Sequence, residues 1–299
     1  MAKKIAKPEV QTKNPKSILS RSLIAATIIA GFLLVIANSA LWVNRTLFNA
    51  DTFSTIAQQS LLSESSRNAM ASEIVNTALE DRPLVKNVVG DTATKLISGL
   101  LGTNQAEAGV KKVISRIHLA ITSENPKNIE FDLTGIKSVI DKLITLIGKE
   151  DTATAVNKIP DKIVILDVSN IPKLYIYGTV FLWIAPIALI GAAILLARPH
   201  VIRRRLDGKI LTFQGFAVIG TSVMALLVGP LFKPPLLAQI PSSDLRVVVE
   251  NVYNAFISNF NSQTMWLFDF GLAILFIAIC VFIYNRFIIV WLSSRKAKS

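Results

Sequence analysis

The sequence predicts a mainly α-helical membrane protein with four transmembrane helices and a large, mostly helical extracytoplasmic domain that contains a small two-stranded β element. Hydrophobic residues make up 52% of the 299 residues and charged residues 17%, with a mean hydropathy of +0.50. Four apolar runs are long enough to be helices that cross about 30 Å of hydrocarbon, which takes roughly 20 residues each. The placement of the basic residues then predicts how these helices are oriented.

The predicted spans are residues 23–43, 175–197, 210–232 and 266–292. None has an acid or a base in its central turns, which is rare in the buried helices of soluble proteins. The first run also follows a basic arm and contains the small-residue pattern Ala37-Asn38-Ser39, as a cleaved signal peptide would. Its length and its end at Trp42, an interfacial anchor residue, favour a retained helix.

The net positive charge lies in three polar segments, residues 1–22, 198–209 and 293–299. Their combined excess of bases over acids equals the formal net charge of the whole chain, +12. Because short basic flanks stay in the cytoplasm, we expect a plasma-membrane protein with a basic cytoplasmic arm, loop and tail and with both termini inside. A nucleic-acid-binding protein would spread its bases over a groove, so no nucleic-acid partner is expected.

Residues 44–174 are long enough for one extracytoplasmic domain. Apolar stripes at helical spacing cover residues 70–79, 84–100 and 110–121, and Asp81-Arg82-Pro83 is a typical helix start. The segments 129–133 and 162–167 alternate apolar and polar residues, which favours a pair of strands with a further helix, 136–147, between them. The single cysteine, Cys280, lies in the fourth run, so this domain has no disulfides.

The second extracytoplasmic segment is residues 233–265. The sequence Lys233-Pro234-Pro235 predicts a sharp end to the third helix, because proline lacks the amide hydrogen that continues a helix. An amphipathic helix is expected to begin at Ser243 or Asp244. It has few bases to hold lipid headgroups, so we expect it to dock onto the 44–174 domain.

Residues capable of chemistry are few. The histidines are His118, expected at the edge of a helical core, and His200, expected in a solvated cytoplasmic loop. They lie on opposite sides of the predicted membrane, and Cys280 lies inside it, so no zinc site is predicted. No glycine-rich phosphate loop or catalytic triad spacing is present either. We therefore expect no catalytic, cofactor-binding or metal-binding residue, no cofactor, and no enzymatic activity.

Asp269 is the most conspicuous polar residue of the predicted spans, because a charge in lipid costs roughly 2.5–3.5 kcal/mol on insertion scales. It is the fourth residue of the final span, near the predicted outer end. It is interpreted either as an ion or substrate gate or as a hydrated interface residue that meets Lys233 or Arg246. The second interpretation is favoured.

Three further positions complete the candidate set. The fourth span is expected to end near Arg286, with this side chain reaching the headgroups, or to continue to residue 292. Gln214 is expected to hydrogen-bond to a neighbouring helix. Pro186, near the centre of the second span, frees a backbone carbonyl and is a possible hinge.

The order of these parts resembles a group of integral membrane proteins of actinobacteria and related bacteria to which no activity is assigned. They have one N-terminal span, a helical extracytoplasmic domain and a C-terminal cluster of spans. The resemblance lies in Leu47–Phe53 directly after the first span, in Ile129–Leu133, and in Lys162–Asp167 before the second span. It implies the topology alone, and the long segment before the last span departs from it.

Two functions follow as expectations. The first is a non-enzymatic protein of the bacterial cell envelope, in contact with the lipid bilayer, whose outer domain binds a protein partner, a wall component or further copies of itself. The alternative is a channel or transporter subunit in which Asp269, Pro186 and the polar third span line a path.

Overall fold

A computed structural model describes residues 21–80, 83–123, 129–132, 162–166, 175–204 and 206–296 of the chain. The first helix, α1 (Arg21–Trp42), runs into a π-helical turn, Val43–Leu47. The other described elements are α2 (Ala50–Leu61), α3 (Glu64–Ala78), α4 (Pro83–Leu101), α5 (Asn104–Thr122), β1 (Ile129–Asp132), β2 (Lys162–Leu166), α6 (Tyr175–Arg203), α7 (Gly208–Ala238) and α8 (Ser243–Lys296).

Four of these helices, α1, α6, α7 and α8, are long and apolar enough to cross a membrane. They coincide with the four apolar runs of the sequence, so the mainly helical fold and the four candidate spans are confirmed. The large side chains on their outer surfaces are mostly apolar and exposed, for example Trp183, Phe216 and Phe276. Such a surface is typical of helices that face lipid rather than water.

The connection between the second and third spans is shorter than the predicted loop, residues 198–209. Helix α6 continues through Pro199 to Arg203, and α7 already begins at Gly208. Arg204 has a positive φ of 49° in the intervening turn, and the Asp207 side chain caps α7 by accepting a hydrogen bond from the Lys209 amide. The same carboxylate pairs with Arg203 at 3.0 Å, which closes the turn.

The predicted end of the third helix at Lys233-Pro234-Pro235 is wrong. Helix α7 passes through Pro230 and both later prolines and ends at Ala238. Contacts with α8 hold this stretch: Lys233 pairs with Glu250 at 2.7 Å, and the Tyr253 hydroxyl donates to the Gly229 carbonyl at 2.7 Å. Packing against a neighbour thus outweighs the local tendency of proline to end the helix.

The expected break between an amphipathic helix and the fourth span is also absent. Helix α8 is one helix of 54 residues, about 80 Å long at 1.5 Å per residue. Its first turns dock onto α3 as predicted. Asp244 accepts hydrogen bonds from Ser72 and Asn76 at 2.6 and 3.1 Å. Asn251, two turns further along, donates to Ser66 at 2.9 Å.

Helices α2 to α5, which we call the head, have a small core of their own. Ala71 and Val75 of α3 pack against Ile97 of α4. Asn49, Ser63 and Thr103 occupy the N-cap positions of α2, α3 and α5, and each side chain accepts a backbone amide hydrogen bond. These caps satisfy amides that have no partner inside the helix. The predicted helices of this region are therefore present where the structure describes them.

β1 and β2 pair antiparallel, with Ile129 opposite Leu166 and Asp132 opposite Lys162. Their register shifts between Ile129 and Glu130. The helix predicted at 136–147 lies outside the described residues.

In the membrane bundle, α1 lies between the other three spans. Ala30 and Leu34 of α1 meet Ala192 of α6 and Val218 of α7 in one buried cluster. Helix α8 packs along α7, where close approach depends on glycine. A Cβ added to Gly215 would lie 2.6 Å from the Leu275 side chain and 3.1 Å from the Gly271 carbonyl oxygen. Small residues of this kind allow helix backbones to approach in lipid, where the hydrophobic effect does not drive association.

Gly215→Val should therefore destabilise the bundle, whereas Gly220→Val should not. A Cβ at Gly220 meets no atom within 4 Å, so the two substitutions make a matched pair on one helix. We expect a loss of about 1–3 kcal/mol for Gly215→Val and little change for Gly220→Val. Reversible unfolding in detergent micelles measures the difference, and equal losses would contradict the close packing of α7 and α8.

Candidate functional site

A seam of polar side chains joins α1 to α8 where the spans meet the head. The Nε1 of Trp42 and the hydroxyl of Thr46 both donate to Asn259 Oδ1, at 2.9 and 3.0 Å. Thr46 is buried in the π-helical turn, and the Trp42 ring packs edge-on against Phe260 with centroids 5.4 Å apart. One amide oxygen of α8 therefore fixes both the last turn of α1 and the turn that follows it.

One turn deeper, Asn38 continues the seam. Its amide nitrogen donates to the Thr264 hydroxyl at 3.0 Å, and Gln263 Nε2 donates to the Asn38 backbone carbonyl at 2.8 Å. Thr264 is fully buried and passes its own hydrogen to the Phe260 carbonyl. Polar groups at this depth are stable only when they bond to one another, and these do. The polar seam consists of Asn38, Trp42, Thr46, Asn259, Gln263 and Thr264.

His118 marks the junction between the seam and the head. Its Nε2 donates to the Leu47 carbonyl at 3.1 Å, and its ring lies 5.2 Å from the Phe53 ring, which in turn contacts Phe256 of α8. Burial lowers the pKa of His118 below its ordinary 6.5, and the backbone hydrogen bond opposes this shift. The expectation of a core histidine is confirmed.

Gln214 makes the predicted hydrogen bond to a neighbouring helix. It is 2% exposed and donates to the Leu196 carbonyl of α6 at 2.8 Å. Its Oε1 accepts from His200 Nε2 at 3.1 Å. The expectation that His200 lies in a solvated loop is wrong, because α6 extends past Pro199 and places this ring against α7. Both polar ends of the Gln214 amide are thus used in joining α6 to α7.

Asp269 lies deeper than the sequence suggested. Gly271, two residues further along α8, faces Gly215 and Ile219 of α7, which lie well inside the third span. Thr264 of α8, which accepts a hydrogen bond from Asn38 of α1, is already inside the bundle, and it lies nearer the head than Asp269 does. The prediction that Asp269 lies at the outer end of the bundle is therefore wrong: hydropathy assigned the span boundary at 266, but α8 enters the bundle earlier.

The predicted partners of Asp269 are engaged elsewhere. Lys233 pairs with Glu250, and Arg246 donates to the Ile240 carbonyl at 2.9 Å. Asp269 itself is exposed on the outer surface of α8, and no hydrogen bond or ion pair joins it to another described residue. An unpaired acid on a lipid-facing surface is costly, at roughly 2.5–3.5 kcal/mol on insertion scales.

The remaining two candidates lie apart from these groups. Arg286 is exposed on α8, and the helix runs past it to Lys296 instead of ending there. Pro186 lies on an exposed face within α6, which is continuous on both sides of it. The structure therefore does not bring Asp269, Arg286, Gln214 and Pro186 together into one site.

A groove of about 230 Å³ opens between the start of α1 and the end of α6. None of the four predicted polar or hinge positions contributes to it. Arg198 and Arg203 give it a basic rim, and Leu195 and Ile202 give it an apolar wall. It is lined by Ser22, Leu23, Ala26, Leu195, Arg198, Pro199, Ile202 and Arg203.

Comparison with known proteins assigns no role to any of these residues. No protein-family model, curated protein or solved structure matches the chain. Among the described residues, no three histidine, cysteine, aspartate or glutamate side chains are grouped as a metal site. The contacts, burial and charges of the chain itself therefore have to indicate what its surfaces do.

The polar seam was missed by the sequence analysis. Its signal was present, because Asn38 is an amide inside an apolar run and Asn259 and Gln263 directly precede one. Asn38 was assigned to a cleavage pattern instead. Recognising the seam requires knowing that α8 passes beside α1, which the local pattern does not contain.

Asn259→Ala should loosen the attachment of α1 to α8. It removes the acceptor of two hydrogen bonds and leaves the Trp42 and Thr46 donors without a partner, which we expect to cost about 1–2 kcal/mol. Asn254→Ala, at an exposed position of the same helix, should change stability by no more than about 0.5 kcal/mol. Unfolding in detergent tests both variants. A neutral Asn259→Ala would show that the seam contributes nothing.

Stability should fall as the pH drops below about 6.5. Because burial lowers the pKa of folded His118, the unfolded chain binds more protons between the lowered value and 6.5. The contribution of neutral His118 to the free energy of unfolding is therefore complete above pH 6.5, and it is lost as the pH falls toward the lowered pKa. Unfolding curves between about pH 7.5 and pH 5 should show this slope, and His118→Gln should flatten it while Lys112→Gln leaves it intact. If the pH dependence of stability persists in His118→Gln, other titrating groups cause it.

Proposed function

We propose that this chain is a non-enzymatic integral membrane protein of the bacterial plasma membrane that self-associates through its head. The head, with the small β element, would lie outside the cytoplasm, and both termini inside. The excess of bases at the ends of α1, α6, α7 and α8 away from the head supports this orientation. The absence of cysteine outside the fourth span is ordinary for a bacterial surface domain.

The observation that carries the proposal is an exposed apolar ridge on α4. The opposite face of α4 packs on α3, yet Leu84 and Val88 are each 81% exposed, and Leu96 and Leu100 are 47% and 41% exposed. These four residues and the exposed Thr92 form one ridge of four-residue spacing, which is the surface that packs into the groove of another helix. Exposed apolar surface of this kind on a folded domain marks an interaction site.

A second copy of this chain fits the ridge by charge as well as by shape. If two α4 helices pack antiparallel, Leu84 of one copy faces Leu100 of the other, and Val88 faces Leu96. Asp91 of each copy then lies within one turn of Lys95 of the other. This contact between opposite charges favours the antiparallel arrangement.

A channel or transporter subunit has less support. Gln214 uses its amide to hold α6 and α7 together, and Asp269 faces outward from the bundle. Pro186 lies on another exposed surface, so these residues do not line a common path.

Val88→Asp should weaken self-association, because it places two charges in an apolar contact. We expect the dissociation constant to rise by about tenfold or more. Asn87→Asp adds the same charge at the neighbouring exposed position outside the ridge and should leave the constant nearly unchanged. Subunit counting by single-molecule photobleaching of full-length protein in lipid nanodiscs gives the stoichiometry.

A charge exchange tests the antiparallel arrangement. Asp91→Lys alone should weaken the dimer by like-charge contact with Lys95 of the other copy, and the double variant Asp91→Lys, Lys95→Asp should restore it.

A wild-type protein that is monomeric at all membrane densities would overturn self-association. If Val88→Asp then reduced retention on purified cell-wall material, the ridge would bind a wall component instead.

A further inference from the structure

The depth of Asp269 can be measured along α8. Asn259 is level with Trp42, the last residue of α1, and Ala278 is level with Gly208, the first residue of α7. Asp269 lies ten residues from the first and nine from the second, about 15 and 14 Å at 1.5 Å per residue. The two levels are thus about 28 Å apart, close to the thickness of the hydrocarbon layer, and Asp269 lies midway between them.

The surface around Asp269 faces away from the bundle. Trp266 and Phe276, one and two turns from it, are 77% and 68% exposed. Ala273 and Cys280 are exposed on the same side. The positions 266, 269, 273, 276 and 280 alternate three- and four-residue steps, which is the spacing of a helix face that packs along a second helix at a shallow angle. A lipid-facing surface needs no such charge at its centre.

The described spans offer Asp269 no positive charge at its own depth. Within the described spans, Lys and Arg occur only toward the ends, as with Arg198, Lys209 and Lys233. Lys233 is already paired with Glu250. A second copy of this chain would bring another Asp269 and no cation, so charge complementarity favours a different protein.

We propose that this face of α8 binds a transmembrane helix of another protein that carries a lysine or arginine at the middle of the bilayer. The cation of that helix pairs with the Asp269 carboxylate, while Ala273 and Cys280 allow the two backbones to approach beside Trp266 and Phe276. Removal of both charges from lipid contact stabilises the complex. The inference rests on the membrane placement of the four helices and does not depend on the α4 ridge.

Defined synthetic helices test this directly. The probe is a labelled leucine–alanine host peptide with one central lysine, and the reference peptides carry leucine at the centre or lysine seven residues away. Energy transfer to labelled full-length protein in nanodiscs reports binding, in the Val88→Asp background so that association through α4 does not contribute. The central-lysine peptide should bind about tenfold more tightly than either reference peptide.

Variants of α8 separate the charge from general packing. Asp269→Asn should remove the tenfold preference, and Asp269→Glu should retain most of it. Arg286→Gln, at another exposed charged position of α8, should not affect it. Unfolding curves of the variants confirm that each is folded, which is expected because the side chain at 269 makes no hydrogen bond or ion pair with another described residue.

Three results would overturn the proposal. One is equal binding of the three peptides by the wild-type protein. Another is a preference that survives in Asp269→Asn, since the lysine would then recognise another group. The third is energy transfer between two differently labelled copies that disappears in Asp269→Asn, which would assign this face to a second copy of the chain. None of these results bears on whether Val88→Asp separates the heads, so the two proposals fail independently.

Discussion

The structure depends on one constraint, that the polar side chains of the seam must find their partners within the protein. Asn259 satisfies it at the junction, where one amide oxygen accepts hydrogen bonds from Trp42 and Thr46. Without that acceptor, two donors would face an apolar environment, and the last turn of α1 would be held less firmly against α8. Because the same turn leads directly into α2, the seam also determines where the head begins.

The continuity of α8 makes the head and the membrane bundle parts of one framework. Asp244 bonds to α3 in the head, Asn259 bonds to α1 at the junction, and Asp269 lies at mid-depth on the same helix. A helix has a fixed rise, so the 25 residues from Asp244 to Asp269 set a separation of about 38 Å. A partner that tilted α8 within the membrane would therefore have to move α3 or break its hydrogen bonds to Asp244.

Local composition predicted the spans well, because hydropathy and charge are properties of each segment alone. The four apolar runs and the helical stripes of the head were found in this way. The predictions that were wrong concern features that are set by packing against neighbouring helices. Lys233-Pro234-Pro235 is a strong local stop, but Glu250 and Tyr253 of α8 hold α7 in helical form beyond Pro230. The depth of Asp269 was likewise set by the packing of Gly271 on α7, which no window of α8 residues contains.

The distribution of polar groups separates structural from interactive positions. Gln214 and the seam residues have polar atoms too, but these point inward and bond to adjacent helices, so they explain how the bundle holds together. Asp269 has the opposite character, since its carboxylate points outward and the described chain gives it no partner. Because nothing in the described chain offsets the cost of this outward acid, Asp269 points to a use outside the fold. That use has to be sought on the surface of the bundle rather than within it.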